Sequence, residues 1–299
     1  MMTTMTEWQI NRREDELPLL DALALRVPAA PRALLRQLCK KQRVTVNSCS
    51  AQAEQVVHAG ETLSVRNSLR WCECLDQSHL RPGQILYEDM QCMVIDKPAG
   101  LAVHRALGHD DNLLQRVGDF LRLRGETFRV APIHRLDIGT SGAVLIGKGR
   151  ASASQMGKMI MAGLATKRYL AMVAGDIAQP GALTSLVPAK GSRKAALTRF
   201  RPVAAAGSYT LLELELVTGR RHQIRRQLAE AGWPILGDTR YGGKTMPGLA
   251  RMFLHCHHLT FQQPSTATSV AICSPLPEEL QDFMRALGFP QEFSGEAVE

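Results

Sequence analysis

No stretch of this 299-residue chain approaches the roughly 18 consecutive apolar residues that a membrane-spanning helix requires. The opening residues, MMTTMTEWQI, lack the apolar segment of a signal peptide. Both absences point away from a membrane protein. The seven cysteines are odd in number and have no scaffold-like spacing, so a disulfide framework is not expected and a reducing cytoplasm is. Cys72-x-Cys74 has the wrong spacing for a zinc knuckle, and no second pair follows. Gly147-Lys148-Gly149 lacks the spacing of a phosphate-binding P-loop. The run His255-Cys256-His257-His258 has the composition of a metal cluster. In a strand, however, His255 and His257 face opposite His258, and no metal is assigned. Asp96, Asp137 and Asp238 would suit a metal-dependent nuclease only if the fold joined them, and nothing in their spacing does so.

What the chain does hold is an apolar fraction of 45%, ordinary for a globular protein, and a length that suggests two domains. Lys and Arg number 36 against 28 Asp and Glu, a net charge of +8 that hints at a polyanionic partner. The placement of the charge says more than its sum. Arg32, Arg36, Lys40, Lys41 and Arg43 lie between Ala30 and Asn47 with no acid among them. Lys190, Arg193, Lys194, Arg199 and Arg201 form a second acid-free run, and Arg220, Arg221, Arg225 and Arg226 surround His222. One basic run is ordinarily a solvated face. Three such runs fit phosphate binding, which needs several cations acting together.

The first dozen residues read as polar and frayed. From Leu17 to Arg66 the pattern is that of a small module. Leu34, Leu35 and Leu38 have helical spacing, and Arg32, Arg36 and Lys40 fall four apart on a neighbouring face. Val44-Thr45-Val46 and Thr62 to Val65 read as strands, with a turn at Asn47-Ser48. The segment "PRALLRQLCKKQRVTVN…HAGETLSV" resembles the alpha-L RNA-binding module, shared with a small-subunit ribosomal protein, which grips structured RNA with a basic helix beside a short β-hairpin. Residues 15–67 are assigned to this module. Residues 68–83 read as a linker, from polar Asp76-Gln77-Ser78 and the breaker Arg81-Pro82-Gly83.

Residues 84–289 read as a second, catalytic domain. Strands are expected at Ile85–Tyr87, Met93–Ile95, Ala143–Ile146, Arg168–Val173 and around Leu212 to Leu216, where leucines alternate with Glu213 and Glu215. Helices are expected at Leu113–Leu123, Ser152–Met161 and His222–Ala231, the last ended by Gly232 and Pro234. Strands follow one another too often for a βαβ series, so the fold class is α+β with a mixed, largely antiparallel sheet.

Two segments carry the chemistry. In His134-Arg135-Leu136-Asp137-Ile138-Gly139-Thr140-Ser141-Gly142 a carboxylate beside cationic side chains precedes a Gly-rich turn. Such a loop either holds a catalytic group or uses Asp137 to cap its own turn. In Thr218-Gly219-Arg220-Arg221-His222-Gln223-Ile224-Arg225 a strand runs into a helix. The apolar pair Ile224 and Leu228 leaves Arg221 and Arg225 together on another face, where a cation could keep a buried carboxylate ionised.

Together with "LYEDMQCMVIDKPAGLAVH", "KRYLAMVAG", "GDTRYGG" and "LHCHHL", these segments resemble the RluA family of RNA pseudouridine synthases, in the family's order from about residue 85 to 260. The resemblance implies a pseudouridine synthase fold and the isomerisation of specific uridines in structured RNA. It makes Asp137 the catalytic carboxylate and Arg225 its partner. Tyr169 is the residue that stacks on the flipped base, Arg135 enters the RNA stack, and Leu254 belongs to the base pocket. No metal or other cofactor is implied, because nothing is oxidised and no group is imported. Large-subunit ribosomal RNA is the expected substrate, with tRNA as the alternative, and a monomer is expected. A non-catalytic RNA-binding or ribosome-assembly protein that kept the fold is the rival reading, against which the complete set Asp137, Tyr169 and Arg225 speaks. The segment "VPAKGSRKAALTRF" and the added arginines Arg221 and Arg226 depart from the family pattern, so substrate identity does not transfer from any one relative.

Overall fold

The computed structural model describes residues 5–10, 12, 14–105, 111–189 and 192–290. They fall into two compact units, the first running to Arg81 and including Asp111, the second running from Pro82 to Arg105 and from Asn112 onward.

The first unit contains β1 (Met5–Gln9), β2 (Leu17–Pro18), α1 (Leu19–Arg26), α2 (Arg32–Lys40), β3 (Val44–Val46), β4 (Cys49–Ser50), β5 (Val56–Val57), β6 (Thr62–Arg66) and α3 (Leu69–Ser78). Its main sheet has the order β1-β6-β3-β4, all antiparallel. Asn47 and Ser48 both take positive φ, the conformation a two-residue hairpin needs, so β3 turns directly into β4. The leucines at helical spacing in α2 are buried, as are Val44 and Val46.

Two expectations fail in this unit. Residues 5–9 are not frayed: they pair with β6 from Met5↔Arg66 to Gln9↔Thr62, and Trp8 meets Trp71 edge-on at 6.2 Å. Nor is the stretch 68–83 free of structure. Ser68 caps α3 by accepting from Trp71 N, and Trp71 is completely buried. The polar residues masked an apolar stripe at Trp71, Cys74 and Leu75, which packs on the core of this unit.

The second unit contains β7 (Ile85–Glu88), β8 (Cys92–Lys97), α4 (Leu113–Leu123), β9 (Val130–Pro132), β10 (Ser141–Lys148), α5 (Arg150–Met161), β11 (Ala165–Ala174), β12 (Gly181–Ala189), β13 (Ser192–Ala206), β14 (Tyr209–Leu216), α6 (Gln223–Glu230), β15 (Leu254–Gln262), β16 (Ser269–Cys273) and α7 (Glu278–Ala286). Ten strands form one sheet in the order β12-β13-β14-β11-β15-β10-β8-β7, with β9 added to β10 and β16 to β15. All pairs are antiparallel except β10 with β15, so the α+β expectation holds.

That parallel junction is short, Ser141↔His255 and Gly142↔Cys256. Gly142 has φ +115°, and a β-carbon there would overlap the backbone of Cys256. The glycine of the TSG segment therefore serves a close approach of two strands. A strand forms at β14 as expected, but its burial does not alternate: Thr210 to Leu214 are all buried, and Glu213 is accommodated there by pairing with Arg201 at 2.8 Å and with His257 at 3.0 Å.

Candidate active site

Asp137 stands on the loop between β9 and β10, and that loop is tied down at its next two carbonyls. Thr140 N donates to the Asp137 carbonyl at 3.0 Å, closing a tight turn. The Ile138 carbonyl accepts from Gly100 N at 2.8 Å and from Lys97 Nζ at 3.3 Å, and the Gly139 carbonyl accepts from Arg251 Nη1 at 3.4 Å. Lys97 is fully buried, and Nζ also donates to the carbonyls of Pro98 and Leu101. Burial, with help from Arg251, pushes its pKa down to about 7, while Asp137 and Asp96 act the other way. Three carbonyl acceptors match the three protons of an ammonium, so Lys97 fastens the Lys97–Leu101 turn to the loop that carries Asp137.

α6 approaches from the other side. Arg225 Nη1 donates to Asp137 Oδ2 at 3.2 Å. Its Nε and Nη2 make a two-pronged contact with Asp238, both at 2.7 Å. Burial works against the charge of Arg225, but the two carboxylates outweigh it and hold the guanidinium above its ordinary pKa. Asp238 is almost completely enclosed, whereas the Asp137 side chain keeps 18% of its surface open. Arg225 is thus anchored by one aspartate and presents the other.

The sequence expectation put Arg221 and Arg225 on one helix face. In the structure α6 begins only at Gln223, so Arg221 precedes the helix and is exposed while Arg225 is buried. Asp137 and Asp238, which nothing in their spacing joins, do come together in the fold: both meet at Arg225. Asp96 does not join them, because it accepts from Ser274 Oγ at 2.8 Å. The histidines of β15 are also separately engaged. His255 contacts Ser141 Oγ, His257 pairs with Glu213, and His258 contacts Thr260 Oγ1. Strict alternation fails here because the pairing of β11 with β15 shifts register between Arg168 and Leu170, and the rings of His257 and His258 lie 6.2 Å apart. Among the described residues no three His, Cys, Asp or Glu side chains are grouped to hold a metal ion.

Tyr169 occupies that irregular step of β11, opposite Leu214 of β14. Its ring is buried, and its hydroxyl lies beside the Cys256 thiol. Burial first, then Cys256, raise its pKa well above the ordinary value, so it is a neutral phenol. Burial also pushes the Cys256 thiol up to about 12.

Arg135, Leu136, Asp137, Thr140, Tyr169, Leu216, Arg220, His222, Gln223, Ile224, Arg225 and Leu254 line one cleft, which holds about 370 Å³ of space open to solvent. It gathers five expected residues: Arg135, Asp137, Tyr169, Arg225 and Leu254. Arg135 is exposed, with Nη1 3.5 Å from His104 Nε2, and Leu254 is buried. Sequence reasoning gave no role to Asp238, His222 or Tyr241. Asp238 and Tyr241 stand in the quoted segment "GDTRYGG", but linear spacing does not show that they fold back on α6.

In the first unit Arg32, Arg36, Lys40 and Lys41 are exposed and Arg43 is half-buried; Arg32 pairs with Asp21 at 2.6 Å. In the second run Arg199 pairs with Glu215 and Arg201 with Glu213, and Arg193 caps the Leu186 carbonyl. Lys190 lies outside the described residues.

Residues 91–230 match the family model described as RNA pseudouridylate synthase. Over 308 residues the chain is 30% identical to the ribosomal large subunit pseudouridine synthase D of Xanthomonas campestris, covering 93% of this chain and 90% of that protein. The chain belongs to the RNA pseudouridylate synthase family. The synthase is also 29% identical to the ribosomal large subunit pseudouridine synthase C of Yersinia pestis, over 89% of this chain and 90% of that protein. Its fold is that of human RNA pseudouridylate synthase domain containing 4, with a TM-score of 0.58 at 21% identity over 70% of this chain and 94% of that one. It is an RNA pseudouridine synthase, an isomerase, and RNA is its partner. No helix among the described residues is long and apolar enough to cross a membrane.

Proposed function

We propose that the synthase isomerises one or more uridines of large-subunit ribosomal RNA, with Asp137 as the catalytic carboxylate. The observation that carries this reading is the chain Asp238–Arg225–Asp137, which opens onto a cleft also lined by Tyr169 and Leu254. In the reaction the bond from N1 to C1′ breaks and a bond from C5 to C1′ forms. C5 gives up its proton and N1 gains one, so nothing is oxidised. A base stacked within RNA cannot rotate, so the uridine must first leave the stack, which costs a few kcal/mol. Arg135, exposed at the cleft, fills the vacated space, and Tyr169 with Leu254 offers the uracil a new apolar surface. Arg225 sets a fixed positive charge against one oxygen of Asp137. Either attack on C1′ or an elimination route then uses that carboxylate.

The exposed basic face of α2 supports residues 15–67 as the module that grips the RNA, through Arg36, Lys40 and Lys41 with Arg32 and Arg43 beside them. The names of the relatives favour ribosomal RNA over tRNA. The seven cysteines are all free, which supports work in a reducing cytoplasm, and the proposed state is a monomer, on the family resemblance alone.

Chemical labelling of pseudouridine in total RNA, from cells with and without the gene, identifies the uridine. The missing modification is expected in large-subunit ribosomal RNA, and it should return with the native gene but not with Asp137→Asn. The purified variant should still bind the RNA. Measurable turnover by Asp137→Asn would remove Asp137 from the reaction.

A further inference from the structure

His222 precedes α6 in a left-handed backbone conformation, φ +55° and ψ +29°, uncommon for a residue with a β-carbon although histidine is among those that adopt it more often. That conformation places its imidazole in the cleft. Nε2 lies 3.7 Å from Asp137 Oδ1, the carboxylate oxygen that Arg225 does not hold. On the opposite side of the ring, Nδ1 is 2.8 Å from the hydroxyl of Tyr241. Tyr241 is itself fixed, since Arg226 Nε reaches its oxygen at 3.1 Å and the guanidinium of Arg225 lies 4.9 Å from its ring.

Donor and acceptor chemistry gives this chain a direction. A guanidinium only donates, so the Tyr241 oxygen accepts from Arg226. The hydroxyl proton is then free for His222 Nδ1. The reverse arrangement, with the proton on Nδ1, has two forms. In the neutral form a lone pair on Nε2 would face the carboxylate. In the charged form another cation would sit among Arg221, Arg225, Arg226 and Arg240. Burial, with Arg225, Arg221 and Arg240, disfavours the charged ring, while Asp137 opposes them. The consistent form is neutral, with Nδ1 accepting from Tyr241 and Nε2–H directed at Asp137.

We propose that His222 is a positioning residue for Asp137: Arg226 orients Tyr241, Tyr241 fixes the His222 tautomer, and Nε2–H holds the second carboxylate oxygen. The inference rests on the assignment of Asp137 above. Arg225 alone leaves the carboxylate free to rotate about its one contact, and a second donor removes that freedom. The 3.7 Å separation closes to a hydrogen bond with a sub-ångström movement, as catalytic contacts commonly do when substrate is bound.

Two measurements test it. Spectra of the free enzyme labelled with ¹⁵N-histidine report the tautomer without reference to activity. His222 should show an unprotonated Nδ1 and a protonated Nε2 at neutral pH, and Tyr241→Phe should disturb that state. Single-turnover kinetics on a ribosomal RNA transcript containing the mapped uridine report the consequence. His222→Asn is the informative variant, because asparagine tolerates the left-handed conformation and can cap α6. Its isomerisation rate should fall about tenfold or more, the range seen when a group that orients a reactive ligand is lost, with RNA affinity unchanged. Tyr241→Phe should lower the rate in the same sense. A proton on Nδ1 in the native enzyme, or a His222→Asn rate within about twofold of native, would overturn the proposal. Turnover by Asp137→Asn would instead overturn the assignment of Asp137, whatever His222 does.

Discussion

Arg225 touches three things at once: the buried carboxylate of Asp238, the half-open carboxylate of Asp137, and the face of Tyr241. Removing one member of a buried charge pair leaves the other uncompensated, at a cost of about 3–5 kcal/mol. Asp238→Ala should therefore lower the unfolding free energy measured in urea by roughly that amount, and it should also slow isomerisation, although Asp238 is nearly closed off from the cleft. Arg225→Lys separates charge from geometry. A lysine keeps the positive charge but has no planar fork with which to span two carboxylates. The expected outcome is a turnover number reduced at least tenfold with RNA affinity unchanged. Equal turnover would mean that charge alone, and not the fork, maintains Asp137.

At the scale of elements, the cleft depends on strand junctions that tolerate little change. Asp137 precedes β10, Leu254 begins β15, and the two strands run side by side only at Ser141–Gly142. Gly142→Ala would force β10 away from the Cys256 backbone, both by overlap and by the φ of +115°. The variant should fold poorly, seen as a fall in melting temperature of several degrees, and it should lose activity. In the first unit α3 is held by Trp71, whose truncation to alanine should cost about 3–5 kcal/mol. Urea denaturation followed by circular dichroism measures it. A loss below about 1 kcal/mol would show that α3 contributes little to that core.

Across the whole molecule, buried neutral histidines couple stability to pH. His255 is fully enclosed, with Nε2 donating to the Ser274 carbonyl and Nδ1 beside Ser141 Oγ, and burial pushes its pKa down to about 3. Partial burial does the same to His134, whose Nε2 accepts from Leu145 N. Between about pH 6.5 and pH 3 the unfolded chain binds protons that the folded one refuses, so stability is complete above about 6.5 and falls as pH drops. Each group contributes a slope of about 1.4 kcal/mol per pH unit within that window. Unfolding in urea should show a lower free energy at pH 5 than at pH 7, and His255→Gln should make the dependence shallower. Charge placement makes a second claim at this scale. Arg36→Glu combined with Lys40→Glu should weaken RNA binding and flatten its salt dependence. Each lost phosphate contact takes roughly 0.7–0.9 from the logarithmic slope. An unchanged slope would mean that α2 does not meet the RNA.

Most elements of the second unit and the reactive residue types are legible in the linear order of residues. The bounds of α4 at Leu113 and Leu123 follow from apolar periodicity, and the strand around Leu214 lies where a period of two placed it, although both of its faces are buried from Thr210 to Leu214. The family motifs singled out Asp137, Tyr169 and Arg225 because short-range order preserves them as words. The tertiary structure decided what those residues face. Asp238 and Arg225 are thirteen positions apart, Asp137 and Arg225 eighty-eight, and no periodicity encodes a contact across either interval. It also decided that α3 is a helix, because the polar residues of that stretch hid a Trp71 face that has meaning only against a core. The direction in which His222 points was beyond the sequence for the same reason. His222 meets Tyr241 nineteen positions away, a contact that its own segment does not encode.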